Sequence, residues 1–403
     1  MKEPGITGFF ILNLYMSRFH SYINSATEIV KKYAGEEPLA SFLKKYFSAE
    51  KKYGSKDRKQ ISHLCYCYFR MGKMDIDLPV EERILTGLFL CSGESNEILQ
   101  QLKPEWIKQI ELTIKQKFAI IDHSLSLTDV FPWKDELSNG VDHEEFCESF
   151  FVQPDLFLRL RPGHEETAMK KLSAAGIAYE SIFTTCLALP NASKIDSVIA
   201  LNKEAVVQDY SSQRTGELIT LARPGRSDKV WDCCAASGGK SIMLFDLFPD
   251  IDLTVSDIRE SIIINLKKRF TEAGITKYKN IVADLTGAVS RLPATGFGLI
   301  LADVPCTGSG TWSRTPEQLY FFEKEKISEY ASLQKKIISN VIPQLNPGGY
   351  FLYITCSVFK KENEDIIEII KRNFPLQIIK MGVLKGYAKK ADTMFAALLQ
   401  KPS

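Results

Sequence analysis

Two cysteines, three aspartates and one glycine-bearing turn hold most of the chemical potential of this chain. Cys306 stands in Asp303-Val304-Pro305-Cys306-Thr307-Gly308-Ser309-Gly310, and Cys356 in Thr355-Cys356-Ser357, which is followed by Glu362-Asn363-Glu364. A thiolate is a strong nucleophile that splits a difficult step into easier ones through a covalent intermediate. A single cysteine in such a place is more often a small buried hydrophobe. Two of them, one behind Asp-x-Pro, suggest nucleophilic chemistry. The third segment reads Asp232-Cys233-Cys234-Ala235-Ala236-Ser237-Gly238-Gly239-Lys240-Ser241. Its small residues and glycines let a ligand approach the backbone at the start of a helix. It is not a phosphate-binding P-loop, because that motif needs glycine where Cys234 stands, and it is not G-x-G-x-x-G.

The elements around these segments have a recognisable rhythm. Strands are expected at residues 229–233, 253–255, 280–282, 299–302 and 350–354, with helices at 240–247, 260–273 and 317–345 between them. Strand and helix in alternation predict a doubly wound, mainly parallel α/β sheet. Ligands in such sheets bind beyond the carboxyl ends of the strands. The chemistry-bearing segments all fall there. Asp232 before its glycine turn suits a nucleoside such as S-adenosylmethionine. Asp257 follows the second strand, where an acid can accept from ribose hydroxyls. Asp284 follows the third and could face an adenine. An isolated acid at a strand end is commonly a turn former, but three in this order make a stronger case.

Upstream the pattern is different. From residue 16 to 127 apolar residues recur at helical spacing, as in Ile61, Leu64, Cys65, Tyr68 and Phe69. Residues 44–59 carry seven cations and two anions, a solvated face or a phosphate-contacting patch. Residues 128–149 lose periodicity and are read as a linker. Residues 150–221 are read as a small α/β unit. Its first strand, at 156–161, alternates apolar and basic side chains, and a helix follows at 165–175. The cations at 159–161 are expected on the surface. The final domain is 222–403.

Composition sets outer limits. The 403 residues are 45% hydrophobic and 25% charged, ordinary for a folded protein. Fifty-one Lys and Arg against 49 Asp and Glu leave a formal charge of +2, so any nucleic-acid site must be a local patch. Nine cysteines without paired C-x2-C spacing, and five histidines, argue against a disulfide framework and a zinc site. No metal is expected, and free cysteines fit a reducing cytoplasm. The apolar stretch from Ile6 to Met16 follows Lys2 as a short signal sequence would. It lacks an A-x-A cleavage pattern and is too short to span a bilayer. Met16 is an alternative start. No membrane association is expected.

Taken together, these segments closely resemble the RNA cytosine-C5 methyltransferases of the RsmB/Sun (Fmu) type. That family's first motif reads D-x-C-A-A-P-G-G-K-T, its next D-x-P-C-S-G, and its last T-C-S followed by E-N-E. Val207-Gln208-Asp209-Tyr210-Ser211-Ser212-Gln213 resembles the family's Q-D-x-S-S-Q, and Asp392-Thr393-Met394-Phe395 its D-G-F-F strand. The resemblance covers residues 150–402. Pro38-Leu39-Ala40, Lys56-Asp57-Arg58 and a helix ending at Arg70 are similar to the NusB-like RNA-binding domain of the bacterial 16S rRNA branch.

The resemblance implies a Rossmann-like class I methyltransferase domain, preceded by an RRM-like unit and a NusB-like helical domain. It implies S-adenosyl-L-methionine as cofactor, held by Cys234, Ala235, Ala236, Ser237, Gly238, Gly239 and Lys240, with Asp257 at the ribose, Asp284 at the adenine and Asp303 between cofactor and base. Cys356 would be the nucleophile and Cys306 the cysteine that assists release. Spacing alone does not choose between them, since DNA cytosine methyltransferases use the Pro-Cys cysteine. The RNA-type motif order favours Cys356. The implied partner is 16S rRNA, with tRNA as the alternative substrate, no DNA, and a monomeric enzyme. A catalytically silent RNA-binding or assembly factor is the alternative from another class. Several departures stand out. Ser237 replaces proline, Ser241 and Thr307 exchange hydroxyls, Ile262 stands where many members carry arginine, and Thr393-Met394 replaces Gly-Phe. Arg259 is a candidate substitute for the missing arginine.

Overall fold

The computed structural model describes residues 6–121, 125–225, 228–287 and 296–403, with side chains from residue 18 onward. The start of the signal-like segment, including Lys2, lies outside the described residues. The chain forms two compact units, both discontinuous in sequence. One takes in Met1–Lys134, Asp142–Gln153 and Trp312–Phe322; the other takes in Asp135–Val141, Pro154–Thr311 and Glu323–Ser403.

The first unit is helical. Ile6–Lys32, Leu39–Ala49, Ser55–Arg70 and Val80–Cys91 are its longest helices. Helix Ser55–Arg70 buries Ile61, Leu64, Cys65, Tyr68 and Phe69, the three-to-four spacing expected of one helix face. These side chains join Phe19, Ile23, Ala26, Leu39 and Leu88 in one core. Segment Trp312–Phe322 also packs here. Phe321 sets its ring against Tyr33 and Phe69, Tyr320 meets Tyr68, and Glu317 accepts the Leu39 backbone N–H at 3.1 Å.

All the described strands belong to the second unit. Strands β1 (Leu156–Leu160), β2 (Glu180–Phe183), β3 (Cys186–Leu189) and β4 (Ala205–Val207) make an antiparallel sheet ordered β2-β3-β1-β4. Helix Glu165–Ala174 covers it through Ala168 and Leu172. Contrary to expectation, the cations of β1 are not on the surface. Arg159 is 6% exposed, and both it and Arg161 donate to Asp246 at 2.6 and 2.7 Å. Burial of a guanidinium is tolerable because that carboxylate and the Gln208 side chain receive it.

The larger sheet holds β5 (Lys229–Asp232), β6 (Asp252–Asp257), β7 (Lys279–Val282), β8 (Phe297–Asp303), β9 (Leu345–Thr355), β10 (Gln377–Leu384) and β11 (Met394–Gln400). Its order is β10-β11-β9-β8-β5-β6-β7, with β5 to β9 parallel and the last two strands antiparallel. Strand side chains alternate between two helix layers. Leu299 and Leu301 pack with helices Tyr210–Ala222, Gly239–Leu247 and Glu260–Glu272, while Ile300 and Ala302 pack with Glu325–Val341 and Glu364–Asn373. Hydrophobic burial on both faces explains the nearly continuous apolar strands. This is the expected Rossmann-like doubly wound sheet, and its strand order reverses beside β5, where a ligand crevice forms.

The expected helix at 317–345 is two helices. Pro316–Phe321 belongs to the first unit and Glu325–Val341 to the second, with Phe322 extended between them at φ −64° and ψ 136°. Pro343, which cannot supply a backbone donor, lies in the short turn Ile342–Gln344 that closes the second helix. Among the described residues no helix is long and apolar enough to cross a membrane.

Candidate active site

The site lies at the carboxyl ends of β5, β8 and β9. Asp232 ends β5, and the chain then makes a tight turn into helix Gly239–Leu247. Ala236 and Gly238 have φ of +46° and +82°. A Cβ on Gly238 would lie 2.8 Å from the Phe270 ring, so glycine is required both for its dihedral and for its packing. Ser237, the proline substitute, accepts from Arg269 at its hydroxyl at 2.7 Å and at its carbonyl at 2.9 Å. Arg269 thus fixes by hydrogen bonds a turn that proline would stiffen covalently.

A cavity of about 290 Å³ opens above this turn. It is lined by Asp232, Cys234, Ala235, Ala236, Ser237, Gly239, Lys240, Asp303 and Cys356 among the expected residues. Asp257 ends β6 outside that lining, where its Oδ1 accepts from the Arg259 backbone N–H at 2.9 Å. Arg259 Nε stands 3.5 Å from the same oxygen. Asp284 is exposed, and its carboxylate caps a turn by accepting from Thr286 N and Oγ1. The cavity also takes in Gln208, Asp209, Arg269, Asp392 and Met394, none of which had an expected role in the site. Apart from Arg269, their signals were the flanking motifs. Asp209 joins these motifs by accepting the backbone N–H groups of Ser211 at 2.8 Å and Asp392 at 3.0 Å.

Charge inside the cavity is graded. Asp232 is 1% exposed and accepts from the Ser241 hydroxyl at 2.6 Å through Oδ2, while Oδ1 has no partner among the described residues. Burial pushes its carboxyl up to about 7. Lys240 donates to Asp303 Oδ2 at 2.6 Å. Burial works against the ammonium, but the Asp303 carboxylate holds Lys240 above its usual range, with Cys356 adding to the effect.

The two cysteines meet at this edge, with Sγ atoms 3.2 Å apart. Cys356 lines the cavity and Cys306 does not. The hydrogen bond to Cys356, burial and the charge of Glu362 all push the Cys306 thiol well above its usual range. Either sulfur can be the donor of this contact. Glu362, 0% exposed, binds both loops. Its Oε1 accepts from the hydroxyls of Thr307 and Ser357 at 2.6 Å each, and its Oε2 from Thr307 N at 2.9 Å and Gln334 Nε2 at 3.1 Å. Asn363 and Glu364 hold the 135–141 segment instead, through Ser138 Oγ and Asn139 N. Gly310 sits where the loop backbones cross, and a Cβ there would meet Thr393 O at 1.9 Å and Cys356 O at 3.0 Å.

Residues 219–397 match the family model for 16S rRNA methyltransferase RsmB/F, so this stretch carries a methyltransferase domain of the RsmB/F type. The chain is 27% identical over 235 residues to the ribosomal RNA small subunit methyltransferase B of Xanthomonas campestris pv. campestris, covering 53% of each protein. It is 33% identical over 174 residues to the Salmonella agona protein of the same name, covering 42% of this chain and 38% of that one. The chain thus spans about half the length, or less, of these curated relatives. Among solved structures, a methyltransferase homolog protein from Pyrococcus horikoshii superposes with TM-score 0.56 at 21% identity, over 66% of this chain and 92% of that one. This likeness is one of fold.

Proposed function

We propose that the chain is an S-adenosylmethionine-dependent RNA cytosine-C5 methyltransferase acting on 16S rRNA. The observation that carries this reading is the pair of cysteines 3.2 Å apart, one of them facing a cavity that also holds the Lys240–Asp303 ion pair. The match of residues 219–397 to a 16S rRNA methyltransferase family supports the substrate.

The cavity suits the cofactor. The unpartnered Oδ1 of buried Asp232 is an acceptor awaiting a donor, and the left-handed backbone at Ala236 and Gly238 clears the space above it. Residues 234–240 would hold the cofactor, with Asp257 toward the ribose and Asp284 toward the adenine. When bound it supplies an electrophilic methyl group.

The protein's residues prepare the base to receive that group. Cytosine C5 is a poor nucleophile until the Cys356 thiolate adds to C6 and makes the ring enamine-like. Asp303 supports the N3–N4 edge as charge develops there, a form of acid–base assistance typically worth roughly 10²–10⁴-fold. After methylation a water molecule takes the C5 proton, the C5–H electron pair re-forms the C5=C6 bond, and the C6–S bond breaks to release the Cys356 thiolate. Cys306, adjacent to the leaving sulfur, assists this release by donating to it. The target cytosine must be unpaired or flipped out. Exposed Lys44, Lys51, Lys56 and Lys59 of the NusB-like helical unit would neutralise RNA phosphates.

The test is to incubate the protein with isotope-labelled S-adenosylmethionine and unmodified 16S rRNA or tRNA, then map the product with bisulfite. Label appearing as 5-methylcytosine in 16S rRNA is the expected result. Label in tRNA alone would replace the substrate, and transfer to neither RNA would refute the activity.

A further inference from the structure

The first β-sheet of the second unit and the neighbouring helices enclose a groove of about 340 Å³ that the reaction does not use. Phe183 at the end of β2, 40% exposed, lines it together with Met243 and Leu247. Tyr210 lies 6.2 Å from the Phe183 ring, and the Arg214 guanidinium sits 5.9 Å over the Tyr210 ring. Arg214 also donates to the half-exposed carboxylate of Glu217 at 3.0 Å, a surface ion pair of the kind that yields to a competing anion at little cost. The groove and the active-site cavity draw on neighbouring residues of one helix and the turn before it. Gln208 and Asp209 line the cavity, and Gln213 and Arg214, one helical turn on, line the groove.

Arg159 also lines this groove, and its charge is incompletely met. It shares one carboxylate, that of Asp246, with Arg161. Two cations against one anion leave a positive charge over within that cluster. Arg159 Nε donates to Gln208 and Nη1 to Asp246, but Nη2 has no partner among the described residues although the side chain is 7% exposed. An unpaired donor on a buried cation is costly unless a ligand completes it.

We infer that this groove binds one nucleotide of single-stranded substrate RNA beside the target cytosine, its base against Phe183 and its phosphate toward Arg159 and Arg214. The inference rests on the RNA-substrate part of the function proposed above. Aromatic stacking with arginine assistance is how single strands are held independently of sequence.

The test measures binding of a fluorescein-labelled single-stranded RNA by anisotropy, and S-adenosylmethionine binding by calorimetry, for the wild type, Phe183→Ala, Arg214→Glu and Ile379→Ser. The expected result is RNA affinity lower by about 10-fold in the first two variants, consistent with losing a stacked base or a phosphate contact. Cofactor affinity and melting temperature stay constant, and Ile379→Ser, on exposed β10, binds as the wild type does. Unchanged RNA affinity in either groove variant, or no RNA binding by the wild type, overturns the groove. Groove-dependent binding without methyl transfer keeps the groove and refutes the activity.

Discussion

The Sγ atoms of Cys306 and Cys356 lie 3.2 Å apart, yet of the two only Cys356 faces the cavity with Lys240 and Asp303. Burial works against the Lys240 ammonium, but the Asp303 carboxylate holds it above its usual range. The contact with Cys356, burial and then the Glu362 carboxylate push the Cys306 thiol well above its usual range. In the function proposed above, Cys356 attacks and Cys306 assists release. Cys356→Ala should abolish both methyl transfer and covalent attachment to RNA. Cys306→Ala should accumulate a protein–RNA adduct, visible as a denaturant-stable band on a gel. The reverse pattern would exchange the roles.

Glu362 holds both cysteine loops on one carboxylate. In Glu362→Ala, the four donors that reach it, from Thr307, Ser357 and Gln334, lose their acceptor. Gln334 keeps Pro305 O and the two hydroxyls keep each other and Ser309, but Thr307 N is left unpaired and the loops lose their common anchor; a misplacement near 1 Å at the reacting atoms costs about 10²-fold in rate. A fall of that order in kcat is expected, with a milder one for Glu362→Gln, which keeps an oxygen in place. Steady-state kinetics with saturating RNA make the measurement. A kcat near wild type in the alanine variant would show that the loops hold their spacing without the carboxylate.

Asp232 links folding to pH. Its carboxyl sits at about 7 in the folded chain because burial disfavours the anion, against about 3.9 when unfolded. Between those values the folded state binds the extra proton, so this group's contribution to stability is present below about pH 4 and is lost as pH rises toward 7. In Asp232→Asn that loss disappears. The difference in melting temperature between the two proteins should therefore move in favour of the variant from about pH 4 to about pH 7. A parallel pair of pH profiles would refute it.

Gly310 tolerates no side chain. An alanine Cβ would overlap the carbonyl of Thr393, which is backbone and cannot swing away. Overpacking of this kind costs about 1–3 kcal/mol, and here it falls between the Cys356 loop and the strand entering β11. Gly310→Ala should lower the melting temperature and the rate together. A variant of full activity and stability would mean that the crossing is looser than the structure has it.

Legibility in the sequence followed the range of the interaction. Asp232, Asp303 and Cys356 were readable because strand-end position and local motif together determine where they go. The two helix layers were readable from strands such as β8, whose residues are apolar on both faces. Asp257 and Asp284 were placed correctly at strand ends, but their carboxylates are engaged locally, by Arg259 and Thr286, outside the cavity lining. Glu362 was visible only as a motif letter. Its task depends on donors from Thr307 and Gln334, which spacing along the chain does not reveal. The buried state of Arg159 was hidden for the same reason, since its partner Asp246 lies 87 positions away. The break at Phe322 escaped because both flanking helices have good helical pattern, and only their packing in different units separates them.

The placement of Trp312–Phe322 has a bearing on synthesis. The Leu39–Glu317 hydrogen bond spans 278 residues, and the rings of Tyr320 and Phe321 complete a core built otherwise from the early helices. A polypeptide emerging in order has all those helices long before it has these rings. The helical unit must therefore wait, its core unfinished, until β5 to β8 have left the ribosome. The closing contacts of one unit are interleaved in time with the strands of the other, so the order of translation couples their folding.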